Sequence, residues 1–235
     1  MRARHLSVLA LGVLCAFLTA ASISGPVLIS EDAVNVVQLL PAPPTFGSEE
    51  SQAEVNLMLQ LQATRTKVDK HRISDEDGMS VFVFADVLGP WFNAHNCPKT
   101  ADLFDQVESD SVYFAAVGKE HWQRPRPYTS VAALNPKGKM EKSYSYPSSH
   151  STRGTVYAEL LADIFPEKRQ AILERGRQLG WDRVIAGVHY PSDVAAGRVL
   201  GQALAQAFEK SPEYQSRLAA VKAELEEASQ GAGVH

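Results

Sequence analysis

The chain has 235 residues, 45% of them apolar and 21% charged, with a formal net charge of −4. That length suffices for one domain with a sizeable core and is too short for two large ones. The composition is that of an ordinary soluble globular protein, and the acidic balance argues against a nucleic-acid polymer as partner, which would call for a basic face.

The N-terminus reads Met1-Arg2-Ala3-Arg4-His5, then an apolar run from Leu6 to Ala21, then small residues around Ser22. A basic start, a short greasy stretch and a small-residue exit describe a secretory signal peptide over residues 1–24. The run of about 16 residues falls short of the roughly 20 that span a bilayer, so cleavage is expected rather than a stable membrane anchor. Leu14 before Cys15 is not the small residue that lipoprotein processing wants. The expected product is periplasmic or secreted, a single domain over residues 25–235. Without Arg2 and Arg4 it is two charges more negative than the full chain. Cleavage leaves Cys97 alone, so no internal disulfide forms and the fold rests on its core. Cys97 itself reads as a buried small hydrophobe, with pairing to another chain left open.

Leu39-Leu40-Pro41-Ala42-Pro43-Pro44 predicts an extended approach. Ser48 or Ser51 caps a first helix through Glu54, Leu57, Met58 and Leu61, with Ser51 and Glu54 at capping-box spacing. Ser74-Asp75-Glu76 reads as a second start, running through Val81, Phe82 and Val83 to a stop at Gly89-Pro90. Thr100 opens a third stretch that reaches Trp122, with a break near Ser109-Asp110. Pro125 to Pro147 reads as loop. From Ser148 a helix carries Val156, Leu160 and Ile164 on one stripe and ends at Phe165-Pro166. Another runs from Glu167 to Trp181. Pro191 suits the first position of a further helix with Leu200, Leu204 and Phe208 on one side, where Gly197 and Gly201 admit a close neighbour. Ser211-Pro212 starts a charged terminal helix, and Gly231 to His235 reads as a frayed tail. No alternating strand pattern and no repeat is visible, so the expected fold is all-α, a single-domain helical bundle.

Three clusters carry chemistry: Lys119 with Arg126-Pro127; Pro147-Ser148-Ser149-His150 at a helix start; and Arg183, His189 and Asp193. Together they supply three cations, two histidines, a carboxylate and a helix N-terminus. A phosphate monoester brings nearly two negative charges and three acceptor oxygens. Arginine grips two oxygens with a planar fork, lysine adds a point charge, and free N–H groups at a helix start add donors. Phosphoryl transfer then needs a nucleophile and an acid, roles two histidines can divide. Asp193, in the first turn after Pro191, can fix the tautomer of His189.

These residues resemble the signature of the type 2 phosphatidic acid phosphatase superfamily. That signature is a Lys with Arg-Pro seven residues on, then Pro-Ser-Gly-His, then Ser-Arg with a His six and an Asp ten residues after the Arg. The motifs span residues 119–193, and Leu39 to Pro44 adds a likeness to the soluble bacterial class A non-specific acid phosphatases. The resemblance implies a phosphoric monoester hydrolase acting on small phosphate monoesters. It makes His189 the nucleophile that becomes a phosphohistidine, His150 the acid, and Asp193 the residue that orients His189. Lys119, Arg126, Arg183, Ser148 and the Ser149 amide would hold the phosphate. It implies no metal and no cofactor, in line with the lack of any ligand-spaced cluster.

Two residues depart from the signature. Ser149 stands in place of Gly, where a positive φ would be strained and the side chain would narrow the pocket. Asp182 stands in place of Ser, poised either to compete for Arg183 or to face solvent. His71, His95 and His121 read as structural or surface residues, Asp105, Glu108 and Asp110 as a solvated helix face, and Trp91 and Phe92 as core rather than lid. A vanadium-dependent haloperoxidase sharing this cage, a lipid phosphatase of the same superfamily, which would normally need several membrane spans, and a non-catalytic phosphate-binding module are the readings kept beside the phosphatase. Self-association is left open.

Overall fold

The computed structural model describes residues 25–231. The signal peptide proposed for residues 1–24, Cys15 within it, and residues 232–235 of the tail lie outside the described residues. Within them the chain is helical, with no strand: α1 (Val36–Leu39), α2 (Glu49–Thr64), α3 (Lys67–Asp75), α4 (Ala85–Leu88), α5 (Pro98–Trp122), α6 (Pro127–Ser130), α7 (Ser149–Ile164), α8 (Arg169–Ile185), α9 (Pro191–Lys210) and α10 (Pro212–Gly231). The all-α architecture expected from the sequence is the one observed.

The local signals act as written in several places. Pro191 opens α9, and Ser148 caps α7 by accepting from the Ser151 amide at 3.3 Å. Gly197 and Gly201 of α9 face α7 so closely that an added Cβ would lie 2.6 Å from the Ser148 carbonyl oxygen and 2.7 Å from that of Thr152. Only glycine lets the two backbones meet there. A Gly197→Ala protein is expected to lose about 1–3 kcal/mol of stability. It should also lose activity, because the backbone that must move is the start of α7; urea unfolding and turnover read both effects.

Other elements differ from expectation for physical reasons. α2 begins one cap earlier than the Ser51–Glu54 pair suggested: Ser48 accepts from the Ser51 amide at 3.2 Å, and Ser51 is buried. Ser74-Asp75-Glu76 ends a helix instead of starting one. α3 starts at Thr66, whose hydroxyl and the Asp69 carboxylate form a reciprocal capping box, and a short 3-10 turn at Val81–Phe84 follows before α4. α5 runs unbroken through Ser109-Asp110. There Asp110 is fully buried and accepts from the amides of Val27 (2.7 Å), Leu28 (2.7 Å) and Ile29 (3.2 Å). The expected solvated face is therefore wrong at Asp110, which ties the first described residues onto the bundle. It is wrong at Glu108 too, which pairs with Arg153 and accepts from the Tyr157 hydroxyl at 2.7 Å. The link after α5 holds one turn of helix, α6, where only loop was expected, and α8 extends to Ile185, past Trp181. Gly231 still belongs to α10.

The core gathers Phe84, Phe92, Phe104, Phe114, Tyr157, Leu160, Leu200, Leu204 and Phe208, with α7 packed against both α8 and α9. Trp91, Phe92 and Cys97 lie in it, as expected of them. Among the described residues no helix is long and apolar enough to cross a membrane.

Candidate active site

Three chain segments meet at the start of α7: the link that follows α5, the Ser143–Ser149 approach to α7, and the α8–α9 turn. Arg126 joins them. Its Nε donates to the Ser143 carbonyl at 2.9 Å and its Nη1 to the Val188 carbonyl at 3.1 Å. Between these segments lies a cavity of about 220 Å³ whose walls include Arg126, Ser149, His150, Arg183 and His189. Asp77, Ser143 and Arg153 complete its polar lining. A larger hollow of about 840 Å³, beside Trp91 and Glu224, holds no comparable convergence of cations and imidazoles.

His189 is buried, and its two nitrogens have distinct tasks. Nε2 sits 2.9 Å from Arg126 Nη1, and a guanidinium only donates, so Nε2 must present its lone pair. The proton then resides on Nδ1, 3.3 Å from Asp193 Oδ2. Burial, reinforced by the Arg126 charge, holds the imidazole down at about 3, so the ring is neutral near neutral pH.

Asp193 is fully buried and saturated. Oδ2 also accepts from the Ser145 hydroxyl and, at 2.8 Å, from the Tyr190 amide, while Oδ1 accepts from Arg124 Nη1 at 2.6 Å. Burial pushes its carboxyl up, but the His189 hydrogen bond, the Arg124 charge and the Ser145 hydroxyl outweigh it and hold it at about 2.

On the opposite wall His150 stands in the first turn of α7. Its Nε2 is buried and has no hydrogen-bond partner among the described residues. Burial, then the charges of Arg183 and Arg153 and the proximity of His189, push its pKa well below 6.5. Arg183 donates through Nη2 to the Ile73 carbonyl at 3.1 Å, and pairs with Glu76 and Asp77 at 3.3 Å each. Its Nε is likewise buried and unpartnered.

Two members of the expected set sit behind the cavity rather than on its wall. Lys119 Nζ donates to the Tyr144 carbonyl at 2.6 Å, and burial with the Arg126 charge lowers its pKa to about 7. Ser148 is fully buried. Its oxygen accepts from the Ser151 amide, which leaves the hydroxyl proton uncommitted. Ser149 is the first residue of α7 and has no positive φ, so the strain expected at that position does not arise. Asp182 neither faces solvent nor contends for Arg183. It is fully buried and takes a two-point grip from Arg72, with Nε and Nη2 each at 2.6 Å. His71, His95 and His121 are exposed.

Sequence reasoning missed a tier of residues behind the imidazole: Arg124, Glu54 and Ser145. Arg124 did carry a signal, since Arg124-Pro125-Arg126-Pro127 holds two cations where the signature needs one. Glu54 was read only as a cap partner, and Ser145 has no local signal at all.

The sequence pattern of the PAP2 superfamily matches residues 110–217. The chain is 31% identical over 211 residues to the non-specific acid phosphatase of Providencia stuartii, covering 84% of each protein. It is 29% identical over 234 residues to the non-specific acid phosphatase of Salmonella typhimurium, covering 96% of this chain and 93% of that protein. A bacterial vanadium-dependent iodoperoxidase superposes with a TM-score of 0.52 at 14% identity, over 74% of this chain and 53% of the other, which shows a shared fold. With these likenesses beside its helical bundle and cationic cavity, the chain belongs to the PAP2 superfamily. Within that superfamily it stands with the non-specific acid phosphatases, as a phosphoric monoester hydrolase.

Proposed function

We propose that this acid phosphatase hydrolyses small phosphate monoesters through a phosphohistidine on His189, with His150 as general acid and without a metal ion. The observation that carries the reading is the pairing of the two imidazoles. One keeps Nε2 unprotonated, accepting from Arg126 Nη1 while Nδ1 faces Asp193, and the other, lining the same cavity, has a buried Nε2 with no partner among the described residues.

In the first step His189 Nε2 attacks phosphorus, the bond to the leaving oxygen breaks, and His150 gives that oxygen a proton. In the second a water loses a proton to His150 and attacks the phosphohistidine. The P–N bond breaks and inorganic phosphate leaves. Arg126, Arg183 and the Ser149 amide grip the phosphoryl oxygens, with Ser148 and Lys119 closing the cage from behind. Asp193 holds the Nδ1 proton and offsets the charge on the phosphorylated ring. Among the described residues no three His, Cys, Asp or Glu side chains are arranged to hold a metal ion. Residues 25–235 form the working domain, and the N-terminal pattern directs it out of the cytoplasm.

The test is to quench a reaction with excess p-nitrophenyl phosphate, in the presence of chelator, and map the phosphorylated residue. Label on His189 is the expected result. Label elsewhere, or turnover lost to the chelator, overturns the reading. The likeness to an iodoperoxidase extends to fold alone and gives halide oxidation no separate support.

A further inference from the structure

Arg124 is among the most completely engaged side chains near the site, and nothing so far gives it a task. It leaves α5 two residues after Trp122, past Gln123, whose left-handed φ of 45° turns the chain inward. The guanidinium is 7% exposed and lies 3.9 Å over the Tyr190 ring. One edge, Nη1, donates to Asp193 Oδ1 at 2.6 Å and to the Ser192 hydroxyl at 2.7 Å. The other edge, Nη2, donates to Glu54 Oε2 at 2.8 Å. Glu54 in turn accepts at Oε1 from the Ser192 amide at 2.6 Å, so it clamps the first turn of α9. The Arg124 carbonyl also accepts from the Ser145 amide at 2.8 Å, and the Ser145 hydroxyl donates to Asp193 Oδ2.

These contacts fix every direction in which the Asp193 carboxylate can turn. One oxygen belongs to Arg124, which leaves the other to Ser145, the Tyr190 amide and His189 Nδ1. We infer that Arg124, anchored by Glu54, is a positioning residue for catalysis: it holds Asp193 so that His189 presents Nε2 to phosphorus. It lies outside the walls of the phosphate cavity. The inference rests on His189 being the nucleophile.

A buried ion pair also serves simple stability, so the experiment must separate the two. In Arg124→Met, kcat for p-nitrophenyl phosphate is expected to fall by about 10²-fold, since the imidazole loses its fixed orientation. KM and inhibition by inorganic phosphate are expected to stay within about threefold, because Arg126, Arg183 and Ser149 are untouched. The acid limb of kcat should move to higher pH: without the Arg124 charge the Asp193 carboxyl protonates sooner, and a protonated Asp193 no longer offsets the charge on the phosphorylated ring. The groups that face Asp193 besides Arg124 are His189, Ser145, Tyr190, Tyr146 and the cations Lys119 and Arg126.

Arg124→Lys keeps the charge and loses the two-edged grip. It should recover about tenfold of the lost rate and return the acid limb to its place, and it stands in should the methionine variant not fold. Folded variants with wild-type kcat overturn the inference. So does a parallel loss of kcat and phosphate affinity, which marks mere unfolding of the site. His189→Ala, assayed alongside, keeps the cases apart. If it retains turnover the nucleophile is wrong; if it is inactive while the Arg124 variants match wild type, only the role of Arg124 falls.

Discussion

His189→Ala is expected to lower turnover of p-nitrophenyl phosphate by about 10⁴-fold or more while the protein still binds inorganic phosphate nearly as well. The two halves of that expectation come from different side chains. Chemistry needs the Nε2 lone pair, which accepts from Arg126 Nη1 in the structure and is released to phosphorus when that guanidinium engages the substrate oxygens. Binding needs the cations on the cavity walls, Arg126 and Arg183, which the substitution leaves in place. The fold should survive, because Asp193 keeps the Arg124, Ser145 and Tyr190 contacts after losing the imidazole. Steady-state rates and phosphate inhibition measured on the same preparation decide it. Near wild-type turnover with an intact fold would remove the covalent route, and loss of phosphate binding would mean that the imidazole, not the guanidinium cage, holds the anion.

How much of this was readable in the chain depended on the reach of each interaction. Pro191 at the start of α9, Ser148 as a cap and the Gly197–Gly201 face are written within a few residues of where they act, and they were found. α3 was missed although Thr66 and Asp69 spell its start, because its residues are almost all polar and carry no apolar stripe. Asp110 looked like surface because an acid on a helix usually is. What buries it is a segment 81 to 83 residues earlier in the chain. The same holds for the second tier of the site. Glu54 and Arg124 meet across 70 positions, and Arg124 reaches Asp193 across 69. Local spacing reveals the groups at the cavity because they cluster in short motifs. The groups that hold those groups come from helices whose approach only the fold decides.

The reaction should also record the state of His150 in its pH dependence and in its choice of leaving group. In the free protein burial and the charges of Arg183 and Arg153 hold this imidazole well below 6.5, so at neutral pH the neutral ring is favoured over the imidazolium that acts as acid. A phosphate dianion brings opposite charge into the cavity and raises the pKa, so substrate itself favours the acid form. The alkaline limb of kcat/KM, which reports the free enzyme, is therefore expected at lower pH than the limb of kcat, which reports the complex. Activity should decline as pH rises, and a rate still climbing above about pH 8 would contradict a protonated acid. His150→Ala should cost about 10²- to 10⁴-fold with an alkyl phosphate, whose alkoxide leaves poorly without a proton. With p-nitrophenyl phosphate, whose leaving oxygen is already a stable anion, the loss of the acid should cost much less in the first step. Equal losses in kcat/KM, which reports the phosphorylation step, on the two substrates would show that His150 does not serve the departing alcohol.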